Sequence, residues 1–202
     1  MTEAIEAQLN RLERKLDEAM DLFRGKRSGP TIKKGKSSQV VSTPMWFVDA
    51  LEDRFGEIVF DLAASESNKK RDRYFDEKQN SLVQDWTAAL DGGVGFLNSP
   101  FSPAVAWATK CSYEAERGAK LLYLCQASMD TVWFAENIMG KARVYTLRIA
   151  FDGEPDPFPK GLALCAFNLG EPAVIRLGSV TAKNVNKKPW GETPRVMELA
   201  AE

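Results

Sequence analysis

The spacing of hydrophobic and polar positions changes repeatedly between residues 43 and 180. Short apolar runs predict buried strands, and apolar residues that recur every three or four positions predict helices between them. The predicted strands span residues 57–61, 93–97, 120–125, 142–147, 162–167 and 173–177, and the predicted helices span residues 45–55, 104–117 and 130–139.

This order of elements predicts an α/β fold. Helices between strands favour a mostly parallel, Rossmann-like sheet over residues 43–180, and the last two strands, joined by a turn, are expected to form an antiparallel hairpin at its edge. Thr43 is expected to cap the first helix, with Pro44 in its first turn and Gly56 after its last. Residues 181–202 are expected to form a loosely attached C-terminal tail.

An amphipathic helix is predicted for residues 1–23. Its apolar residues alternate at spacings of four and three, as at the a and d positions of a coiled coil; they are Ile5, Leu9, Leu12, Leu16, Ala19 and Phe23. Two interpretations remain open. The helix packs on its own domain, or it self-associates as a short coiled coil and makes the protein a homo-oligomer, since an isolated helix this short is marginal in water.

A basic linker is predicted for residues 24–42, where glycine and proline break any periodicity and no acidic residue occurs. Such a segment can neutralise phosphates and bind nucleic acid without sequence preference. The composition fits a solubilising tether equally well. The cations assigned to DNA binding are Lys26, Arg27, Lys33, Lys34 and Lys36.

Composition narrows the chemistry further. The 202 residues include 27 Lys and Arg against 28 Asp and Glu, for a net charge of -1, and no histidine. Catalytic triads, imidazole bases and histidine-bound metals are therefore excluded, and no metal site is expected. Three widely spaced cysteines in apolar runs favour core positions over disulfides. A polar, acidic N-terminus and the absence of a long apolar run predict a cytoplasmic protein.

Polar residues follow two predicted strands at their carboxyl ends, where open parallel sheets bind ligands. Asp61 ends the first strand, and Ala63 and Ala64 follow it. A carboxylate there can bind the ammonium or hydroxyl groups of a nucleoside-type cofactor, and small side chains let a ligand approach the backbone. The second strand is followed by Asn98-Ser99-Pro100-Phe101.

This four-residue segment suits methylation of an exocyclic amine. The lone pair of adenine N6 is delocalised into the ring, so the amine is a poor nucleophile until its hydrogens are held out of plane. The Asn98 side-chain oxygen and the Ser99 carbonyl can each accept one N–H, and Phe101 can stack on a base flipped out of the duplex. The same residues fit a turn and a helix start equally well.

The wider sequence resembles the compact phage-type (Dam-like) DNA N6-adenine methyltransferases from about Thr43 to Phe167. Residues 98–101 are similar to the (Asp/Asn/Ser)-Pro-Pro-(Tyr/Phe/Trp) motif of amino-group methyltransferases. The resemblance also rests on Thr43-Pro44, Phe60 to Ala64, Asn68, Tyr74-Phe75, Ser81-Leu82, Asp85-Trp86, Ala127, Asp130-Thr131, Trp133-Phe134, Arg148-Ile149 and Phe151.

The resemblance implies a class I methyltransferase fold, S-adenosylmethionine as methyl donor and adenine in double-stranded DNA as acceptor, in a phage or prophage protein of a bacterial host cell. Asp61 would hold the methionine part of the cofactor. The site residues implied are Asn98, Ser99, Pro100 and Phe101 for catalysis, Asp61, Ala63, Ala64 and Asp85 for the cofactor, and Arg148 with the linker cations for DNA.

Two departures from the family pattern keep alternatives open. Ser99 stands where the motif has proline, and its freer backbone makes the turn less rigid by about 0.4 to 1 kcal/mol. A glycine-rich loop is also absent after Asp61. The alternatives are a DNA-binding protein of methyltransferase fold with weak or no activity, and an enzyme that methylates amino groups of RNA or protein.

Overall fold

A computed structural model describes residues 41–100 and 103–190. The helices are α1 (Met45–Phe55), α2 (Trp86–Leu90), α3 (Ala104–Glu116) and α4 (Val132–Asn137), with 3-10 turns at Ser81–Val83 and Val185–Lys187. The strands are β1 (Ile58–Asp61), β2 (Val94–Asn98), β3 (Lys120–Gln126), β4 (Ala142–Arg148), β5 (Leu162–Phe167) and β6 (Ala173–Ser179). All six predicted strands are confirmed. The predicted helix over residues 1–23 and most of the linker lie outside the described residues.

The strands form one sheet in the order β1-β2-β3-β5-β4-β6. β1, β2 and β3 pair in parallel, β4 and β6 also pair in parallel, and β5 runs antiparallel to both β3 and β4. The α/β class and the mostly parallel sheet are confirmed, but the predicted edge hairpin is wrong. β5 is internal because all six of its side chains are buried, whereas β6 alternates between buried and exposed positions and lies at the edge.

Side chains alternate across the sheet and build a core on each face. On β3, Leu121 and Tyr123 contact the core that includes residues of α2, α3 and α4, whereas Leu122 and Leu124 contact the core that includes residues of α1. The three cysteines are buried, unpaired and part of the first core, as predicted. Gly95 lets α2 approach β2, because a Cβ there would lie 2.9 Å from Leu62 and Leu90 atoms that are already packed.

The structure differs from the predictions at the start of α1 and in residues 181–190. Pro44, not Thr43, is the N-cap residue of α1, and no side chain caps this helix. Gly56 follows the helix with a φ of 93°, as predicted for glycine at this place. The prediction of a loosely attached tail is wrong for residues 181–190. Trp190 is 8% exposed, and its carbonyl accepts a hydrogen bond from the Tyr145 hydroxyl at 2.7 Å.

None of the helices within residues 41–100 and 103–190 is long and apolar enough to cross a membrane.

Candidate functional site

The carboxyl ends of β1 and β2 meet at one edge of the sheet. Asp61 is the last residue of β1 and Asn98 the last of β2, and the two strands are parallel neighbours. A cleft of about 460 Å³ opens beside them. Its lining consists of Val41, Ala63, Ala64, Ser65, Asn68, Phe75, Asp76, Glu77, Asn80, Ser81, Asn98, Ser99, Pro100 and Trp107. The structure therefore brings the two predicted strand ends to one cleft.

The Asn98 carboxamide is fixed by two hydrogen bonds. Its Nδ2 donates to the carbonyl of Val41 at 3.1 Å and to Oγ1 of Thr43 at 2.9 Å. Because these two acceptors use both amide hydrogens, they settle which way the carboxamide is turned. No described residue donates a hydrogen bond to the remaining oxygen, Oδ1, and Asn98 lines the cleft.

Thr43 has a different role from the helix cap that the sequence predicted. It is 1% exposed, and its hydroxyl accepts from Asn98 where capping of α1 was expected. A threonine before a proline and a helix carries the local signal of a cap, and nothing near it in the chain points to a partner 55 positions away.

Asp61 organises the loop that forms one wall of the cleft. Its Oδ2 accepts from the backbone N–H of Lys70 at 3.0 Å, and its Oδ1 from that of Ala63 at 3.4 Å. Burial raises the pKa of the Asp61 carboxyl above its ordinary value, although these two N–H groups and the charges of Lys70 and Arg71 oppose the shift. Asp61 is 3% exposed and does not line the cleft itself, whereas Ala63 and Ala64 do.

A second, smaller cavity of about 190 Å³ lies beside the turn that follows β2. It is lined by Ser99, Ala104, Tyr123, Cys125, Gln126, Ser128 and Trp133. Of the residues that the structure describes, Ser99 is the one that lines both cavities. The two cavities therefore meet the same turn at Ser99.

Part of the lining of the large cleft comes from residues 75–81, to which the sequence analysis assigned no binding role. Asp76 and Gln79 exchange two hydrogen bonds of 2.9 Å between side chains and backbone, which folds this loop back on itself. Asn80 follows with a φ of 50°, a conformation that asparagine tolerates better than most residues. Glu77, beside them, is an exposed acid on the cleft. The only signal was the match of Tyr74-Phe75 and Ser81-Leu82 to the family pattern.

Asp85 is not brought to the cleft. Its Oδ1 caps α2 by accepting from the Ala88 N–H at 3.0 Å, and its Oδ2 lies 2.7 Å from Nη2 of Arg117. The hydrogen bond from Arg117 lowers the pKa of the Asp85 carboxyl. Oδ1 thus caps α2 and Oδ2 connects this helix to the end of α3, and the expected cofactor contact of Asp85 stays a prediction.

Arg148, the last residue of β4, is exposed at the same edge of the sheet as Asn98 and donates to the Pro159 carbonyl at 3.2 Å. Phe101 and the linker cations lie outside the described residues. Among residues 41–100 and 103–190, no three His, Cys, Asp or Glu side chains are grouped so as to hold a metal ion.

Comparison with known proteins identifies the family of the chain that carries this site. The family model of the DNA N-6-adenine-methyltransferases (Dam) matches residues 31–157, which include β1, β2 and the residues that line the cleft. A DNA N-6-adenine-methyltransferase of Escherichia phage T1 is 29% identical to this chain over 103 residues, which is 51% of this chain and 42% of that protein. The chain therefore spans less than half the length of this relative. Because the family model covers more than half of the chain, the protein belongs to the DNA N-6-adenine-methyltransferase (Dam) family.

Proposed function

We propose that this protein transfers a methyl group from S-adenosylmethionine to N6 of adenine in DNA. The observation that carries the proposal is the fixed Asn98 carboxamide, whose Oδ1 remains available at a cleft while Nδ2 is held by Val41 and Thr43. An amide oxygen can accept one N–H of an amine without removing the proton. That is what turning the N6 lone pair out of conjugation requires.

The large cleft suits the cofactor. A volume of about 460 Å³ falls within the range of small-molecule sites, and Ala63 and Ala64 leave room for a ligand beside the backbone. The carboxylate of Asp61, which ends the strand just before them, keeps unused acceptor capacity after its two backbone hydrogen bonds. A cation placed near it would offset the cost of its burial. When bound, S-adenosylmethionine supplies an electrophilic methyl group to this site.

The small cavity suits the acceptor base. A base buried in a duplex must be flipped out to reach an active site, and the pocket that receives it uses stacking and hydrogen bonds to the base edges. Trp133 offers an aromatic face, and Gln126 and Ser128 offer polar groups in the small cavity. Asn98 Oδ1 and the Ser99 carbonyl accept the two N6 hydrogens at the junction of the cavities. Phe101 follows as a further stacking residue.

The fold agrees with this assignment. A mostly parallel sheet that carries its site at the carboxyl ends of neighbouring strands is the arrangement of Rossmann-like proteins. We propose that this sheet is of the class I methyltransferase type, acting on double-stranded DNA inside the host cell. Arg148 and the linker cations supply phosphate contacts, and residues 1–23 supply self-association if they form a coiled coil.

Sequencing that detects modified adenines tests the proposal directly. DNA from cells that express the full chain is expected to carry N6-methyladenine within a defined sequence, and DNA from cells that express Asn98→Ala is not. Asn184→Ala is the matched control, because Asn184 hydrogen-bonds within the turn after β6 and lies outside both cavities. Unmodified DNA from the wild type contradicts the proposal, as does equal modification by Asn98→Ala.

Two further measurements separate the alternatives. Transfer of a labelled methyl group is followed to DNA, RNA and protein in parallel, and labelling of RNA or protein alone refutes DNA as the substrate. Calorimetry with S-adenosylmethionine distinguishes an enzyme from an inactive DNA-binding protein of the same fold. Cofactor binding without any transfer to DNA would favour the inactive protein.

A further inference from the structure

Three hydrogen bonds hold Ser42, which the sequence placed at the end of a flexible linker. Its hydroxyl accepts a hydrogen bond from Nζ of Lys70 at 2.7 Å and donates one to Oδ2 of Asp152 at 2.8 Å. Its carbonyl accepts from the backbone N–H of Asp152 at 2.9 Å. Ser42 is therefore fixed by its side chain and its backbone, between the loop that follows β1 and the loop that follows β4.

The backbone of Lys70 is held against β1. Its N–H donates to Oδ2 of Asp61, the last residue of that strand, at 3.0 Å. The next residue, Arg71, donates from Nε to the carbonyl of Ile58, the first residue of the strand, at 2.6 Å. The Lys70 side chain extends from this fixed backbone and is 8% exposed. Because an ammonium group this buried requires acceptors, its contact with the serine hydroxyl is maintained.

We propose that Lys70 is a positioning residue that orients the Asn98 carboxamide through Ser42. The proposal rests on the proposed function. Val41 and Thr43, on either side of Ser42 in the chain, supply the two acceptors that hold Asn98 Nδ2. A shift of Ser42 moves both acceptors, because planar peptide units connect the three residues. Asn98 Oδ1 then leaves the place at which it accepts an N–H of the amine.

Lys70 thereby connects the ends of the two strands that carry the candidate site. Its backbone N–H binds the carboxylate of Asp61, and its Nζ binds the segment that orients Asn98. Lys70 is not among the described residues that line the two cavities. Its effect on methyl transfer is therefore exerted through these contacts and falls on kcat more than on the affinity for the cofactor.

A chemically matched group of residues lies at the opposite edge of the sheet. Lys141 Nζ donates to Ser112 Oγ at 2.7 Å and lies 3.4 Å from Oε1 of Glu116, so it makes the same kinds of contact as Lys70. Lys141 directly precedes β4, whereas the candidate site lies at the carboxyl ends of the strands. Neither Lys141 nor Ser112 is among the described residues that line the cavities. Both residues therefore serve as controls.

Rates of methyl transfer to DNA by the full chain test the proposal. Lys70→Met is expected to lower kcat about 2- to 12-fold, the range that corresponds to one net hydrogen bond. KM for S-adenosylmethionine should change less than about 2-fold, because the backbone N–H that binds Asp61 remains. Lys141→Met should keep kcat within about 2-fold of the wild type. An unchanged kcat in Lys70→Met, or an equal fall in Lys141→Met, overturns the proposal.

A double-mutant cycle tests the route through Ser42. Ser42→Ala removes the hydroxyl that Lys70 binds and should lower kcat by a similar factor, whereas Ser112→Ala should leave it unchanged. In the Ser42→Ala background, Lys70→Met should alter kcat by less than about 2-fold, because its partner is already gone. Equal losses in both backgrounds overturn the proposal. If Lys70→Met does not fold, the two serine variants carry the test, and equal rates for them overturn it.

Nuclear magnetic resonance of the Asn98 side chain gives a readout that does not depend on turnover. Its amide signal is identified by its loss in Asn98→Ala. Exchange of the two amide hydrogens with solvent is expected to become faster in Lys70→Met and Ser42→Ala, and to stay unchanged in Lys141→Met. If the wild type transfers no methyl group while exchange follows this pattern, the positioning role is supported and the proposed function fails. Unchanged exchange in Lys70→Met and Ser42→Ala overturns the inference whatever the activity.

Discussion

Thr43 Oγ1 lies 2.9 Å from Asn98 Nδ2 and connects the residue before Pro44 to the last residue of β2. The segment that carries Thr43 is itself held in place. Ser42 donates its hydroxyl to Asp152 at 2.8 Å, and Lys70 Nζ donates to that hydroxyl at 2.7 Å. The orientation of the Asn98 carboxamide therefore depends on a chain segment that precedes the sheet, and a change in that segment should be felt at the candidate site.

Thr43→Val is expected to lower kcat about 2- to 12-fold, because one of the two hydrogen bonds that orient Asn98 is lost without a change in side-chain shape. The Asn98 carboxamide then keeps only the Val41 carbonyl as a described partner. It can therefore rotate and turn its oxygen away from the cleft. Initial rates of labelled methyl transfer measure the effect. Thr43→Ser, which keeps the hydroxyl, should stay within about 2-fold of the wild type. Equal rates for valine and wild type would contradict the orienting role.

Periodicity predicted the strands well because each is short, apolar and bounded by polar turns. The pairing of strands was less accessible. The run of residues 162–167 is apolar at every position, yet its neighbours β3 and β4 are chosen by contacts across the whole sheet. A short turn towards the following strand suggested a hairpin, but β6 pairs with β4. The short turn therefore does not join paired strands, because both edges of β5 are already paired, with β3 and with β4.

In the candidate site, too, residues with a local sequence signal could be predicted, and residues placed by tertiary contacts could not. Asn98, Ala63 and Ala64 could be predicted, because strand ends with polar and small residues are where open sheets bind ligands. Thr43 could not, since its contact with Asn98 is tertiary. For Asp85, an acid before Trp86 carries two signals, a family match and a helix cap; the structure shows the cap, and the cofactor contact stays a prediction.

Asp61→Asn should change how stability depends on pH. Burial raises the pKa of the Asp61 carboxyl, so the folded chain binds this proton more tightly than the unfolded chain. The stability that Asp61 contributes is therefore fully present below about pH 4 and falls as pH rises through the raised pKa. Asparagine does not titrate. The free energy of unfolding of the variant minus that of the wild type is expected to become more positive from about pH 4 to 7.

Asp85→Asn is the control of opposite sign for that experiment. The hydrogen bond from Arg117 lowers the pKa of Asp85, so this carboxylate stabilises the fold above its ordinary pKa, and the contribution is lost as pH falls through the lowered one. For Asp85→Asn, the free energy of unfolding of the variant minus that of the wild type should therefore become more negative as pH rises. Urea unfolding at a series of pH values measures both. Parallel curves for Asp61→Asn and wild type would refute the effect of burial at Asp61.

Lys110→Met is expected to lower the free energy of unfolding by about 3 kcal/mol, the lower end for breaking a buried ion pair. Lys110 Nζ lies 2.5 Å from Oε1 of Glu114, which is 0% exposed, and also donates to the Gln84 carbonyl at 2.7 Å. The loss stays at the lower end because Thr87 and Arg117 continue to bind the Glu114 carboxylate. The helix α3 and the Ser81–Val83 turn beside the cleft are both anchored through this lysine.

Lys69→Met is the control for that prediction, because Lys69 pairs with an exposed glutamate three residues before it. No measurable loss is expected for it, since exposed ion pairs contribute little. Urea denaturation compares the two variants, and an unchanged slope against denaturant shows that stability alone has moved. A loss of less than about 1 kcal/mol for Lys110→Met would show that the charge pair is dispensable.

Trp190→Ala is expected to cost about 3 to 5 kcal/mol, although the sequence placed Trp190 in a loose tail. Its ring centroid lies 5.3 Å from that of Tyr145 and 6.4 Å from that of Phe47, and its Nε1 donates to the Val185 carbonyl at 2.8 Å. The substitution therefore opens a cavity between α1 and the sheet. Val174→Ala, on the edge strand and 41% exposed, should stay within about 0.5 kcal/mol. Equal stability of the two variants would mean that residues 181–190 do not belong to the core.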